Sequence, residues 1–285
     1  MHESVRKAWR VLLQALLFCV CWNVVWAHAA GQSAGWRVGL FPNLSPVALV
    51  RLYAPLGHYL SARLKAPVQF YTAANFHAYL ETLARGGYDI AVVPPHLAWY
   101  AVDKGAYVPL ARYTAKLRGV LVVRRGSPIR SIEDLRGARI AFPDPLALMT
   151  QAIQHALADD GLKAGADYRV VMAQSHNNAA LMVARGQVAA AGIGLIPLRS
   201  LPRQTADELR VIYMTPPLST QYILIKASVP VAVRQHVLTD LQRFAASTEG
   251  RAFLARGGLG GIVPADAAGL AGYRKYLPPK NAVAP

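Results

Sequence analysis

Cysteines and acidic residues are both scarce in this sequence, and each shortage limits what the protein can be. Only Cys19 and Cys21 occur among 285 residues. Both lie in an apolar N-terminal stretch, so the rest of the chain has no disulfide, thiolate metal site or cysteine nucleophile. Acidic residues number 15 against 31 basic ones, a formal charge of +16. The basic residues are scattered rather than clustered, so we expect no nucleic-acid partner and interpret the charge as a diffuse field.

Long hydrophobic runs are also scarce, since a single one is present and it lies at the start of the chain. Basic residues precede an apolar stretch over 11–27, which ends in Ala27-His28-Ala29. This pattern is typical of a secretory signal peptide over residues 1–29, cut after Ala29, and it predicts a periplasmic protein. The alternative is an uncleaved N-terminal anchor, because the stretch is close to the shortest length that spans a bilayer.

The motifs of common enzyme classes are missing as well. The sequence has no G-x-S-x-G nucleophile elbow, no H-E-x-x-H pair and no phosphate-binding P-loop. Histidines on the predicted helices have no partners at metal-ligand spacing. We therefore expect no catalytic residues, no cofactor and no metal site.

The sequence does contain two successive runs of alternating strands and helices. In the first run we predict strands at 36–41, 67–71 and 88–93 and helices at 47–64 and 75–85, the second helix with Asn75 as its N-cap. In the second run we predict strands at 118–124, 138–142, 168–172, 187–193 and 209–214 and helices at 147–160 and 175–185. Such alternation predicts two α/β units. A ligand cleft is expected between them, where strand carboxyl ends and helix amino ends meet.

Four segments of the chain resemble a known family. They are VGLFPNLSP (38–46) with APLGHYL (54–60), YDIAVVPPHLAWYA (88–101), SPIRSIEDLRGARIAFPDP (127–145) and SHNNAALMVARGQVAAAG (175–192). Together they resemble the phosphate/phosphite/phosphonate substrate-binding proteins of ABC transporters, which have the type 2 periplasmic-binding fold. The third segment is common to many binding proteins and supports the fold, whereas the first and fourth are more specific to the family.

The resemblance implies an α/β fold of two lobes, each a mostly parallel sheet flanked by helices, with the ligand cleft between them. Lobe 1 would be residues 36–116 plus 217–285, and lobe 2 residues 117–216. The implied function is capture of a small oxyanion by lobe closure for an ABC permease. A sensor partner of a membrane histidine kinase is an alternative, and an enzyme on the same fold is a remote one. We expect a monomer that meets the membrane only through its partner or an uncleaved signal.

The resemblance also implies the residues that line the cleft. They come from the loops after strands and from the fourth segment, and they are Phe41, Asn43, His96, Asp144, Leu146, Ala147, Ser175, His176 and Asn177. An oxyanion needs fixed donors, and backbone N–H groups at helix amino ends provide them. Such groups are expected from Leu146 and Ala147, while His176 could donate from its ring.

Several of these residues have a purely structural alternative. Ser175 could be an ordinary helix N-cap, and His176 a structural or surface histidine. Phe41 could belong to the core at the end of its strand. His96 could cap the helix that follows Pro95.

The loop over 144–150 departs from the family pattern. Many phosphonate-binding members have several hydroxyl side chains there, whereas here only Thr150 offers one. Asp144 would repel an anion unless its carboxylate is turned away. No acidic residue occurs at 189–191, where the family places the partner of an amino group, so we do not expect an aminoalkylphosphonate as the ligand.

Overall fold

The computed structural model of this chain describes residues 35–278. The signal peptide predicted over residues 1–29 lies outside that range. Within it, no helix combines the length and the apolar character needed to cross a bilayer.

The described chain alternates strands and helices along most of its length. The strands are β1 (Trp36–Leu40), β2 (Val68–Tyr71), β3 (Ile90–Val93), β4 (Tyr107–Tyr113), β5 (Lys116–Leu117), β6 (Gly119–Arg124), β7 (Arg139–Phe142), β8 (Arg169–Met172), β9 (Ala190–Gly194), β10 (Leu209–Met214), β11 (Leu218–Ser219), β12 (Tyr222–Lys226) and β13 (Ile262–Pro264). The α-helices are α1 (Pro46–Leu64), α2 (Phe76–Ala84), α3 (Pro95–Asp103), α4 (Leu148–Asp159), α5 (His176–Ala184), α6 (Leu195–Arg199), α7 (Arg203–Asp207), α8 (Val231–Ala246), α9 (Thr248–Gly257) and α10 (Ala268–Ala271). Single 3-10 turns occur at Glu133–Leu135 and Arg274–Tyr276.

These strands form two separate sheets joined by a short ribbon. The first sheet has the order β13-β4-β12-β3-β1-β2, and the second has the order β10-β6-β9-β7-β8. The ribbon pairs β5 with β11 in antiparallel fashion, where the chain leaves the first sheet and later returns to it. Hydrophobic clusters cover both faces of each sheet, as expected for strands buried between layers of helices.

Most strands of each sheet run in one direction, as predicted, and each sheet also contains antiparallel pairs. In the first sheet, β1 runs parallel to β2 and β3, whereas β12 is antiparallel to β3 and β4. In the second sheet, β7 runs parallel to β8 and β9, whereas β6 is antiparallel to β9 and β10. These antiparallel pairs involve β6 and β12, the strands that follow the two crossings between the sheets. At each crossing the chain enters the new sheet at the carboxyl edge of its parallel strands, so the next strand runs in the opposite direction.

The helices that position the site begin at side-chain caps where the sequence predicts them. Asn75 precedes α2 and its Oδ1 accepts from the Ala78 N–H at 2.9 Å. Ser175 precedes α5 and its Oγ accepts from the Asn178 N–H at 3.1 Å. Both predicted caps are confirmed. Each cap satisfies a free N–H of the first turn and fixes where the helix starts at the edge of its sheet.

Candidate functional site

The carboxyl edges of the two sheets face each other, and a direct contact joins them. His96 lies in the first turn of α3, just after β3, and Leu146 lies in the loop between β7 and α4. The His96 Nε2 atom is 3.0 Å from the carbonyl oxygen of Leu146. The Leu146 side chain, 2% exposed, joins the hydrophobic cluster of the first sheet that contains Phe41 and Tyr222. Loops at the ends of β3 and β7 therefore meet, as a cleft between two α/β units requires.

His96 is completely buried at this junction. Burial disfavours the charged ring and lowers its pKa from 6.5 to about 4, although the hydrogen bond to the Leu146 carbonyl acts in the opposite direction. The ring is therefore neutral near pH 7. The ring bonds to a loop of the second sheet, and it does not cap its own helix as the structural alternative expected.

The loop that carries Leu146 is held by Asp144. The Asp144 Oδ1 accepts from the Leu146 N–H at 2.7 Å, and the Asp144 carbonyl accepts from the Ala147 N–H at 3.2 Å. Partial burial raises the pKa of the Asp144 carboxyl, while the Leu146 N–H and nearby His77 act to lower it. The backbone donors of Leu146 and Ala147, expected to hold an anion, are thus already engaged within the loop.

His176 lies at the corresponding edge of the second sheet. It is the first residue of α5, and its Nδ1 accepts from the Gly194 N–H at the end of β9, at 3.2 Å. Burial lowers the pKa of His176 to about 4, so this ring is also neutral near pH 7. Because Nδ1 accepts, Nε2 holds the proton and can donate.

Three other predicted residues have simpler surroundings. Phe41 is buried and packs on Phe76 and Tyr79, with ring centroids 4.3 and 5.5 Å away, which matches the core alternative. Asn43 is exposed and its N–H donates to the Phe41 carbonyl at 2.8 Å. Asn177 is exposed on α5.

Buried polar atoms without a hydrogen-bond partner concentrate at the facing edges. Between residues 35 and 278 there are six such side-chain atoms. Among them are Thr72 Oγ1, just after β2, and His96 Nδ1, just after β3. Thr150 Oγ1 lies in the first turn of α4, which follows β7, and the Thr150 side chain is completely buried.

Thr220 Oγ1 is the fourth atom of this group. It immediately precedes β12, whose first residue Tyr222 pairs with Val93 at the end of β3. The remaining two atoms, on Tyr168 and Arg210, lie at the opposite edge of the second sheet. Buried polar groups nearly always have partners, so these four atoms mark the facing edges as the candidate binding site.

The sequence of this chain matches a known protein family over residues 38–270. The family is described as ABC transporter, phosphonate, periplasmic substrate-binding protein. The chain belongs to this family. Its members are periplasmic binding proteins of a transporter, which work with a permease and bind small ligands.

Solved structures agree on the fold. XAC2383 from Xanthomonas citri, bound to chloride, superposes with a TM-score of 0.74 at 19% identity, covering 86% of this chain and 100% of that one. PhnD1 from Prochlorococcus marinus, in complex with methylphosphonate, gives 0.73 at 12% identity, covering 85% and 96%. A binding protein component of an ABC phosphonate transporter from Pseudomonas aeruginosa gives 0.70 at 19% identity, covering 85% and 84%. These likenesses show the two-lobed fold of this family member.

None of the three unpaired threonine hydroxyls was among the residues predicted to line the cleft, although the sequence singled out Thr150 as the hydroxyl of the 144–150 loop. Thr72 follows a predicted strand directly, so the rule that selected the other strand-end residues applies to it equally. Thr220 gives no such signal, because it lies at the amino end of its strand. Only the antiparallel direction of β12 brings it to the carboxyl edge of β3.

Proposed function

We propose that this protein captures a small oxyanion of the phosphate, phosphite or phosphonate type between two lobes and delivers it to an ABC permease. Family membership supports the transport role. The observation that carries the ligand site is the group of four buried, unpaired polar atoms at the facing edges. A bound ligand with oxygen atoms on several sides would supply the missing partners.

The proposed lobes follow from sheet membership. Lobe 1 is residues 36–116 plus 217–285, and lobe 2 is residues 117–216. Strands β1 to β4 with β12 and β13 support the first, and strands β6 to β10 support the second. The paired crossings at β5 and β11 form the hinge between them, and the Lys116 Nζ donates to the Ser219 Oγ at 3.3 Å across this ribbon.

Lobe closure would act as the capture step. His96, Thr72 and Thr220 lie on lobe 1, and His176 and Thr150 lie on lobe 2. A ligand that bonds both sets stabilises the closed arrangement over the open one by its differential contacts. The N–H of His176 Nε2 and the free hydroxyls are the donors for the oxyanion. Ser175 orients His176 by starting α5, and Asp144 orients the Leu146 loop.

The sensor alternative has less support, because the matching family is one of transporter components.

We further propose that residues 1–29 direct export and are removed, and that the exported protein is a monomer. The intact mass of protein recovered from the periplasm tests the cut after Ala29, and sedimentation of the same sample tests the oligomeric state.

A thermal-shift panel tests the proposed ligand class. The purified protein is mixed with phosphate, phosphite, methylphosphonate, sulfate, arsenate and small carboxylates. A ligand at 100 times its dissociation constant adds about 2.7 kcal/mol to the free energy of unfolding, which is readily detected. We expect stabilisation by at least one phosphorus oxyanion. Stabilisation by carboxylates alone, or by nothing in the panel, would overturn the proposal.

A further inference from the structure

The hydrogen bond between the two edges determines the protonation of His96. A carbonyl oxygen can only accept, so the His96 Nε2 that contacts the Leu146 carbonyl must carry the ring proton. The ring is neutral near pH 7 because burial lowers its pKa to about 4. A neutral imidazole has one proton, and the other nitrogen, Nδ1, is therefore an acceptor with a free lone pair.

This lone pair is buried at the junction with nothing in the described chain to donate to it. The Nδ1 atom has no hydrogen-bond partner, and the whole side chain is 0% exposed. The Nε2 atom of the same ring contacts the loop of the other sheet, so the His96 ring lies where the two sheets meet. The pKa of His96 is set by burial and the Leu146 bond, with no contribution from a charged group.

The other unpaired groups at the junction do not require a particular partner. The hydroxyls of Thr72, Thr150 and Thr220 can each rotate to donate or to accept. The nearest acid along the facing loop, Asp144, accepts from the Leu146 N–H of the same loop. His96 is thus the group that demands a donor from whatever binds.

We propose that His96 selects ligands that carry an O–H group, so that the site takes a phosphorus oxyanion holding one proton and rejects a sulfonate or sulfate of the same shape and charge. This inference rests on the proposed function. In the bound state the P–OH donates to His96 Nδ1, while an unprotonated oxygen accepts from His176 Nε2. A sulfonate places only lone pairs against Nδ1, and the buried acceptor stays unsatisfied.

Two isosteric anions test this inference on the purified protein. Methylphosphonate and methanesulfonate are both monoanions at about pH 5.5, where a phosphorus oxyanion keeps its last proton and His96 is still neutral. Calorimetric titration is expected to give at least a tenfold tighter dissociation constant for methylphosphonate, about the effect of one buried hydrogen bond. Phosphate against sulfate gives a second pair at about pH 8, where both are dianions and phosphate still holds one proton.

The outcomes separate the inference from the proposed function. Equal affinity for the phosphorus and the sulfur anion of each pair would overturn the selection by His96 and leave the proposed capture of oxyanions standing. Binding of no oxyanion at all would overturn both. Tighter binding of the sulfur members would also overturn the selection.

Variants of His96 identify the responsible atom. His96→Phe removes the lone pair and should reduce the methylphosphonate-to-methanesulfonate ratio to near one. His96→Gln keeps a donor and an acceptor on one planar group and should retain most of the ratio. His58→Phe, at an exposed histidine on α1, is the matched control and should leave it unchanged. A ratio that persists in His96→Phe would overturn the inference, and if that variant does not fold, the wild-type and His96→Gln ratios decide.

Discussion

His96 and His176 both lie at the carboxyl edges of their sheets but are left with opposite hydrogen-bonding groups free. Each follows a strand at a carboxyl edge, and burial lowers the pKa of each to about 4. His96 donates to a backbone carbonyl and is left with an acceptor, whereas His176 accepts from a backbone N–H and is left with a donor. The backbone partner, not the residue type, thus determines what a buried histidine offers a ligand.

Replacing His176 gives the largest effect we expect on binding. His176→Ala removes a donor to a charged oxygen and should weaken the best oxyanion ligand by about 1.5–3 kcal/mol, measured by calorimetric titration. In contrast to His96, the loss should apply equally to phosphonate and sulfonate, because the donor serves an oxygen that both possess. An unchanged affinity would remove His176 from the site. A changed ratio would show that the two histidines do not have separate roles.

Measuring stability against pH in the protein without ligand allows the His96 and His176 rings to be compared. The unfolded chain takes up protons near pH 6.5, whereas folded His96 takes one up only near pH 4, so stability is lost as the pH falls through this interval. From pH 8 to pH 5 we expect His96 to account for a loss of about 2 kcal/mol. His96→Gln should remove that part of the slope in urea unfolding, and His176→Gln should remove a similar part because burial lowers the pKa of His176 to about 4 as well.

The Asp144 carboxyl contributes a pH dependence of the opposite sign at acidic pH. Burial raises the pKa of its carboxyl, so the folded state holds a proton more tightly there than the unfolded chain does. Its contribution to stability falls as the pH rises through its folded pKa.

A stability that stayed constant from pH 8 to pH 5 in both wild type and His96→Gln would contradict the assignment of His96 as a buried neutral ring.

The helix caps before α2 and α5 offer a matched pair with a moderate effect. Asn75→Ala and Ser175→Ala should each lower the free energy of unfolding by about 1 kcal/mol, because each leaves an N–H of the first turn without its partner. Only Ser175→Ala should also weaken ligand binding, since α5 begins with His176. Equal ligand shifts in the two variants would restrict Ser175 to a structural role.

Removing one of the unpaired hydroxyls should have the smallest effect on the free energy of unfolding, and it should stabilise the protein without ligand. Thr220→Val should stabilise the free protein by under about 1 kcal/mol, because an unsatisfied buried hydroxyl becomes a methyl group of similar size. The same change should weaken oxyanion binding several-fold, and Thr220→Ser should restore it. A Thr220→Val protein that is less stable in the absence of ligand would show that the hydroxyl already has a partner, such as water.

Much of the framework was predictable because buried parallel strands and capped helices leave strong local patterns. The apolar run before Pro94 and the caps Asn75 and Ser175 correspond to elements of the structure. Strand β4 was missed because it contains Pro109, which interrupts the pattern of a central strand. The structure tolerates Pro109 since the pairing of β4 with β12 shifts register next to it, between Ile223 and Leu224.

The chemistry of the site was less predictable than its location. Their positions after predicted strands were enough to select His96 and His176 as site residues. Which nitrogen of each ring stays free, however, depends on a backbone partner from a distant segment. The backbone donors of Leu146 and Ala147 looked free in the sequence, and the structure engages them with Asp144. Such pairings are decided by loop geometry, which residue order alone does not express.

The position of β12 also has a consequence for the order of folding. This strand lies between β3 and β4, yet it follows the whole second sheet in the chain. The apolar strand β3 therefore keeps an open edge until residues beyond 219 have emerged, while the second sheet, contiguous in sequence, can complete itself first. Open apolar edges favour aggregation. The unpaired edge of β3 is therefore exposed to association with other chains until the return crossing delivers β12.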